Sequence, residues 1–218
     1  VDWGDKLGKL CDEMRIDIPG FEIRYKTDSK LQKFIGWVLK PFNKRYMSHF
    51  TTTLYPYVYF PDREFVSSSP RRTFEILSHE WVHLYDRKKD WKFSPLYLFP
   101  QILSLFSVFA IGAIWNLWFL LFLSFLLCLA PFPAPYRTKY EFRGYAMNMM
   151  FRVFRFGKVS DKYKEWMRGT FTGWNYYKMN PFTKDVNRKI NALENKLKEE
   201  EIQKLHPYSR VIKIYKEE

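Results

Sequence analysis

An α+β fold, rich in helix with one small sheet near the N-terminus, is predicted by three features of the sequence. Apolar residues recur at 3–4 spacing in several separate stretches, residues 46–66 concentrate Thr, Tyr, Val and Phe, and Pro or Gly punctuates the joins. At 218 residues the chain suits one well-buried domain. Residues 1–218 are therefore read as a single domain, with an uncharged segment, 96–130, inserted into it.

Trp3, Leu7, Leu10 and Met14 follow helical spacing over residues 3–14, and Pro19-Gly20 closes that segment. Phe21, Ile23 and Tyr25 alternate with Glu22, Arg24 and Lys26, the pattern of a half-buried strand. Asp28 or Ser29 can cap a helix through about Leu39, with Leu31, Phe34, Ile35 and Val38 on its inner face and Pro41 ending it. Residues 46–66 read as two or three strands, with Pro56 pushing its strand toward the sheet edge. His49, in this stretch, is read as a satisfied polar residue.

Ser69-Pro70 supplies an N-cap and a first-turn proline for the next helix, along which Phe74, Leu77, Trp81 and Leu84 form an apolar stripe. On this helix lies Ser78-His79-Glu80-Trp81-Val82-His83, an H-E-x-x-H sequence. Histidines four apart share a helix face, one turn above the other, so both imidazoles can reach a single ion. Glu80 is rotated about 100° from His79, within reach of a water on that ion. Zinc in a hydrolytic site takes three protein ligands and one open position. The motif offers two ligands, His79 and His83, and a general base, Glu80. The candidate third ligand is Glu141, whose alternative reading is an ordinary first-turn helix glutamate. Asp86, three residues beyond His83, can accept the other ring N–H of a ligating histidine or stand as a solvated charge. An edge strand beside such a helix can hold a peptide by backbone pairing.

Residues 96–130 contain no charged side chain, which argues for contact with lipid. If Glu141 joins His79 and His83 on one ion, both ends of this run lie on the same side of a bilayer. That leaves a hairpin, with its turn near Gly112 and Asn116. As α-helix, each arm of about 15 residues spans roughly 22 Å, short of the ~30 Å hydrocarbon core. The expectation is a helical hairpin that dips into or barely spans the membrane. Its basic flanks, Arg87 to Lys92 and Arg137 to Lys139, would be cytoplasmic. The alternative is a hairpin buried in a soluble protein or a large assembly.

Pro131, Pro133 and Pro135 lead into a helix that starts near Tyr140-Glu141 and reaches Phe156, with Gly144 and Ala146 small enough for close packing. Residues 160–180 are polar-aromatic, with a short helix and a loop at Gly169-Thr170-Phe171-Thr172-Gly173; Tyr176 or Tyr177 could donate to an oxyanion. Val186, Ile190, Leu193 and Leu197 mark an amphipathic helix lasting to His206-Pro207, and Val211 to Tyr215 reads as a final strand.

The net charge of +13 and the 20% aromatic content suit an anionic partner. Mixed basic and aromatic surfaces fit RNA or a lipid headgroup layer equally. No RNA-recognition or helix-turn-helix signature is visible, so nucleic acid is set aside in favour of the membrane. Two cysteines, Cys11 and Cys128, make no disulfide framework, and no secretory signal pattern is apparent.

H-E-x-x-H, an apolar hairpin, then a glutamate opening a new helix: this order resembles the gluzincin metallopeptidases, and in layout the membrane-embedded HtpX-type peptidases. The resemblance covers roughly residues 69–155. It implies a zincin-like domain binding Zn2+ through His79, His83 and Glu141, with Glu80 as base and a polypeptide as substrate. Gly144 matches the family's small residue after the glutamate, and Tyr145 stands where the family has aspartate. The competing expectation is a catalytically inactive zincin-like component that serves a membrane or an assembly.

Overall fold

Helix α1, Trp3–Asp17, starts where the Asp2 carboxylate accepts a hydrogen bond from the Gly4 N–H. In this computed structural model, residues 2–40, 43–131, 133–174 and 177–217 are described. They fall into two compact units, one of Val1–Asp90, Gly144–Phe151 and Glu199–Glu218, the other of Trp91–Arg143 and Arg152–Lys198. The content is helix-rich with one three-stranded sheet.

In the first unit, β1 (Glu22–Tyr25) lies parallel to β3 (Tyr57–Phe60), and β2 (Thr52–Leu54) pairs antiparallel on the far side of β3. The order β1-β3-β2 leaves β2 at an edge, and Pro56 sits in the turn that joins β2 to β3. Among the described residues, only these three short strands form. Tyr46–His49 is a helical turn, α3, and Arg63–Ser67 is α4, capped by Asp62.

Helix α2, Lys30–Leu39, begins at Ser29, whose hydroxyl accepts from Gln32 N–H. Its packed face is not the one the apolar spacing indicates. Leu31, Phe34 and Val38 are largely exposed, while Gln32 and Gly36 are buried. The reason is α3. The Tyr46 hydroxyl bonds Gln32, and Met47 lies so close to Gly36 that any Cβ there would collide with its thioether. Pro41, expected to end this helix, lies outside the described residues.

Helix α5, Pro70–Lys89, carries Phe74, Leu77, Trp81 and Leu84 with no solvent exposure and packs against α1. Ser69 is its N-cap residue but makes no side-chain cap; its carbonyl accepts from Thr73 N–H instead. The C-terminal stretch forms α10, Tyr208–Lys216, where a strand was expected. Tyr208, Val211 and Ile212 are buried at i, i+3 and i+4, and that period wins over the short alternation of Val211 and Tyr215.

Asp17, at the end of α1, ties this unit together. Its carboxylate accepts from Trp81 Nε1 at 2.8 Å and Lys88 Nζ at 2.9 Å, and pairs with His206 Nε2 at 2.8 Å. Burial pushes this carboxyl up, but the hydrogen bonds from His206, Lys88 and Trp81 outweigh it and hold it below its ordinary value. Its stabilisation is thus present above the usual aspartate range and fades as pH falls through the lowered value.

The second unit holds α6 (Phe93–Leu98), two 3₁₀ arms (Gln101–Ile114 and Leu117–Leu129), the first turns of α7 (Pro135–Phe156), α8 (Asp161–Thr172) and α9 (Thr183–Lys198). The stretch expected as a loop at residues 169–173 is mostly the last turn of α8, and α9 stops at Lys198, short of His206. Phe142 of α7 stacks on Phe171 of α8 at 4.3 Å, and α8 meets α9 through a 2.6 Å Lys164–Glu194 ion pair. Among the described residues, no helix is long and apolar enough to cross a membrane.

Replacing Asp17 with Ala is expected to lower stability by about 2–4 kcal/mol. Charge-assisted hydrogen bonds are worth roughly 1.5–3 kcal/mol, and the buried Trp81 N–H loses its acceptor. Urea unfolding at neutral pH should show a lower midpoint with an unchanged slope.

Candidate metal centre

Two helices build the site. Helix α5 presents His79 and His83 from adjacent turns, both buried, with their Nε2 atoms 3.1 Å apart. Two nitrogens bound to one tetrahedral zinc at 2.0–2.1 Å stand roughly 3.3–3.4 Å apart, so the rings already converge as ligands of one ion would. Helix α7 runs against the same face. A Cβ on Gly144 would lie 2.4 Å from His79 Nε2, so only glycine lets this backbone come so near the ring. Glu141 stands one turn before Gly144 on the same unbroken helix and is buried. The ligand atoms of His79, His83 and Glu141 all lie within 4.8 Å of one another. Helix α7 starts at Pro135, so Glu141 sits in its second turn and not at its opening.

The His79 ring is held from several sides. Tyr145 meets it edge-on at 5.1 Å, and the Asn148 amide nitrogen lies 3.2 Å from its Nδ1. The Asn148 oxygen is buried with no hydrogen-bond partner among the described residues. Turning that amide over gives the oxygen a donor in Nδ1–H. That tautomer leaves the Nε2 lone pair facing His83. On Glu141, the Tyr97 hydroxyl of α6 donates to Oε1. Two imidazoles and a carboxylate, buried and convergent, are a donor set that fits a divalent ion of the zinc class.

Glu80, half-buried, belongs to a second cluster. Thr53 of the edge strand β2 donates its hydroxyl to Glu80 Oε2 at 2.7 Å. Lys26 is fully buried, donates to the Tyr46 carbonyl at 2.8 Å and sits 3.7 Å over the Tyr46 ring. Burial pulls its ammonium down to about 8, against the opposing pull of the Glu80 charge. Sequence alternation placed Lys26 on the polar side of a strand, and the structure puts it in the interior.

Asp86 is buried one turn beyond His83. His49 is exposed and bonds the neighbouring Ser48 hydroxyl. Tyr176 lies outside the described residues, and Tyr177 occupies a left-handed turn (φ 57°) beside Trp174. Thr53, Lys26, Tyr97 and Asn148 were not anticipated. Only Asn148 carried a readable signal, because Glu141, Gly144 and Asn148 fall at i, i+3 and i+7 on one helix face. Both cysteines are free.

No protein-family model matches the chain, and no curated protein or solved structure matches it.

A methyl group at position 144 must displace the His79 ring. If the three side chains hold a divalent ion such as zinc, Gly144→Ala is therefore expected to weaken its binding by at least the roughly 10–100-fold typical of disturbed ligand support. Competition against a chromogenic chelator measures this directly. Lys26 gives a pH signature with a defined sign. Between pH ~8 and ~10.5 the unfolded chain binds the proton that the folded chain has released, so stability rises with pH. Relative to Lys26→Met, the unmutated protein should gain stability over that window in urea unfolding.

Proposed function

We propose that the chain is a zinc-dependent hydrolase of peptide bonds, built on a zincin-like arrangement. The observation that carries this reading is the convergence of His79, His83 and Glu141, with Glu80 placed between the two histidines on the same helix. The three convergent side chains would hold the ion, which when bound supplies Lewis acidity toward a carbonyl and makes water acidic near neutral pH.

The remaining work falls to the chain's own groups. Glu80 is the base that takes the water's proton and delivers it to the leaving amine. Thr53 acts as its positioning residue: its hydroxyl occupies Oε2 and orients the carboxylate. Asn148 and Tyr145 fix the His79 ring, and Tyr97 fixes one oxygen of Glu141. Strand β2, at the sheet edge and carrying Thr53, offers unpaired backbone groups to an extended polypeptide.

Glu80→Gln keeps side-chain size and leaves the three ligands in place. It should retain zinc while losing about 10²–10⁴ in rate. His83→Ala should lose zinc and activity together. Zinc content by elemental analysis and turnover on a peptide library, measured side by side, separate the two. An active Glu80→Gln protein rejects the mechanism. Unmutated protein that binds zinc but cleaves no peptide would instead be a zincin-like structural or membrane component.

A further inference from the structure

The two 3₁₀ arms pack on each other along a seam with a period of three. Phe106 meets Phe125 at 5.3 Å, Phe109 meets Phe122 at 5.4 Å, and Gly112 lies directly under the Phe119 ring. Residues three apart line up on a 3₁₀ helix, so this spacing keeps one edge of each arm against the other. Outside the seam the arms are mostly apolar, and Leu105, Ile111, Leu121 and Leu127 are more than 60% exposed.

Arm length follows from the helix type. A 3₁₀ helix rises ~2.0 Å per residue, so the 14 and 13 residues of the arms span about 28 and 26 Å. Each falls a few ångströms short of the ~30 Å hydrocarbon core, in keeping with no described helix being long enough to cross it unaided, so the bilayer would thin locally to meet the tip. The i→i+3 bonds satisfy the arm backbone internally, as hydrocarbon requires. At the tip, Trp115, Asn116 and Trp118 are exposed, with the Asn116 side chain accepting from Trp118 N–H. Exposed Trp91, Lys92, Tyr136 and Lys139 flank the base of the hairpin. Tryptophan and tyrosine favour the two membrane–water boundaries, and here they bracket the apolar arms at both ends. Charge agrees. The unit that carries the hairpin has 16 Lys and Arg against 5 Asp and Glu, a balance of +11 out of the chain's +13.

We infer that this hairpin inserts into an anionic lipid bilayer from one side and carries its Trp115–Trp118 tip to the opposite headgroup layer.

The test uses full-length protein with Asn116→Cys and Cys128→Ser, mixed with vesicles of phosphatidylcholine and phosphatidylserine. The protein should float with the vesicles. A membrane-impermeant maleimide sealed inside should label the thiol at position 116, and the same reagent outside should not. Labelling from outside, or from neither side, overturns the far-boundary placement. Partition into these vesicles should exceed that into phosphatidylcholine alone by about tenfold or more, and equal partition overturns the anionic preference. Protein that stays with the dense fractions overturns insertion. If it is then a discrete oligomer, the apolar face belongs to a second copy of the chain.

Discussion

The closeness of α7 to α5 at Gly144 is the constraint on which the candidate centre depends. With a Cβ contact of 2.4 Å to the His79 ring, no side chain can stand there without displacing that ring. Everything else on that face of α7 is placed by helix geometry: Glu141 one turn before Gly144, Asn148 one turn after it. One missing methyl group thus sets the reach of the carboxylate and of the amide that holds the ring. The other side of the contact is equally determined. Phe74, Leu77, Trp81 and Leu84 line the buried face of α5, and Asp17 fastens Trp81 and Lys88, so the histidines cannot rotate away without breaking that cluster.

Much of this was readable from residue order, because the helical period is strong where burial is strong. The stripe on α5 and the pairing of His79 with His83 follow from spacing alone, while Gly144 was legible as one of two small residues, with Ala146, that allow close packing. Elements failed where a local pattern was short or where a neighbour decided the outcome. Leu31, Phe34 and Val38 look like an inner face, yet α3 claims the side of α2 where Gly36 permits close packing. Val211 to Tyr215 alternates over too few residues to outweigh a buried i, i+3, i+4 set. Lys26 shows how alternation misleads at a strand end, since the chain turns there and carries the amine inward onto the Tyr46 carbonyl. Thr53 and Tyr97 touch residues 27 and 44 positions away, and no local pattern reports such contacts.

The hairpin illustrates a subtler limit. Its apolar character and its turn near Asn116 are plain in the sequence, but its helix type is not. Phenylalanines at 106 and 109 opposite 125 and 122 pair in register only if the arms repeat every three residues. On an α-helix the same positions would drift around the axis by about 60° per three residues, opening the seam. Long 3₁₀ runs are uncommon because their hydrogen bonds are poorer. Here a continuous aromatic seam offsets that cost. Helix type then sets reach, since one more half-ångström per residue extends the arms from roughly 20 Å to about 26–28 Å.

The surroundings of Glu80 combine a neutral contact with a distant charge. A carboxylate that is to act as a base must be oriented without being neutralised. An ion pair at contact would lower its proton affinity, whereas a hydroxyl orients one oxygen and leaves the other free to accept. Thr53 supplies that hydroxyl from a rigid strand. Lys26 could have supplied a contact charge, but its ammonium is directed onto the Tyr46 carbonyl and ring, so its influence on Glu80 is exerted through space. A buried ammonium so placed leaves the Glu80 lone pairs uncovered. Edge strand and helix thus meet at the Glu80 carboxylate, with the strand-end ammonium acting on it only through space.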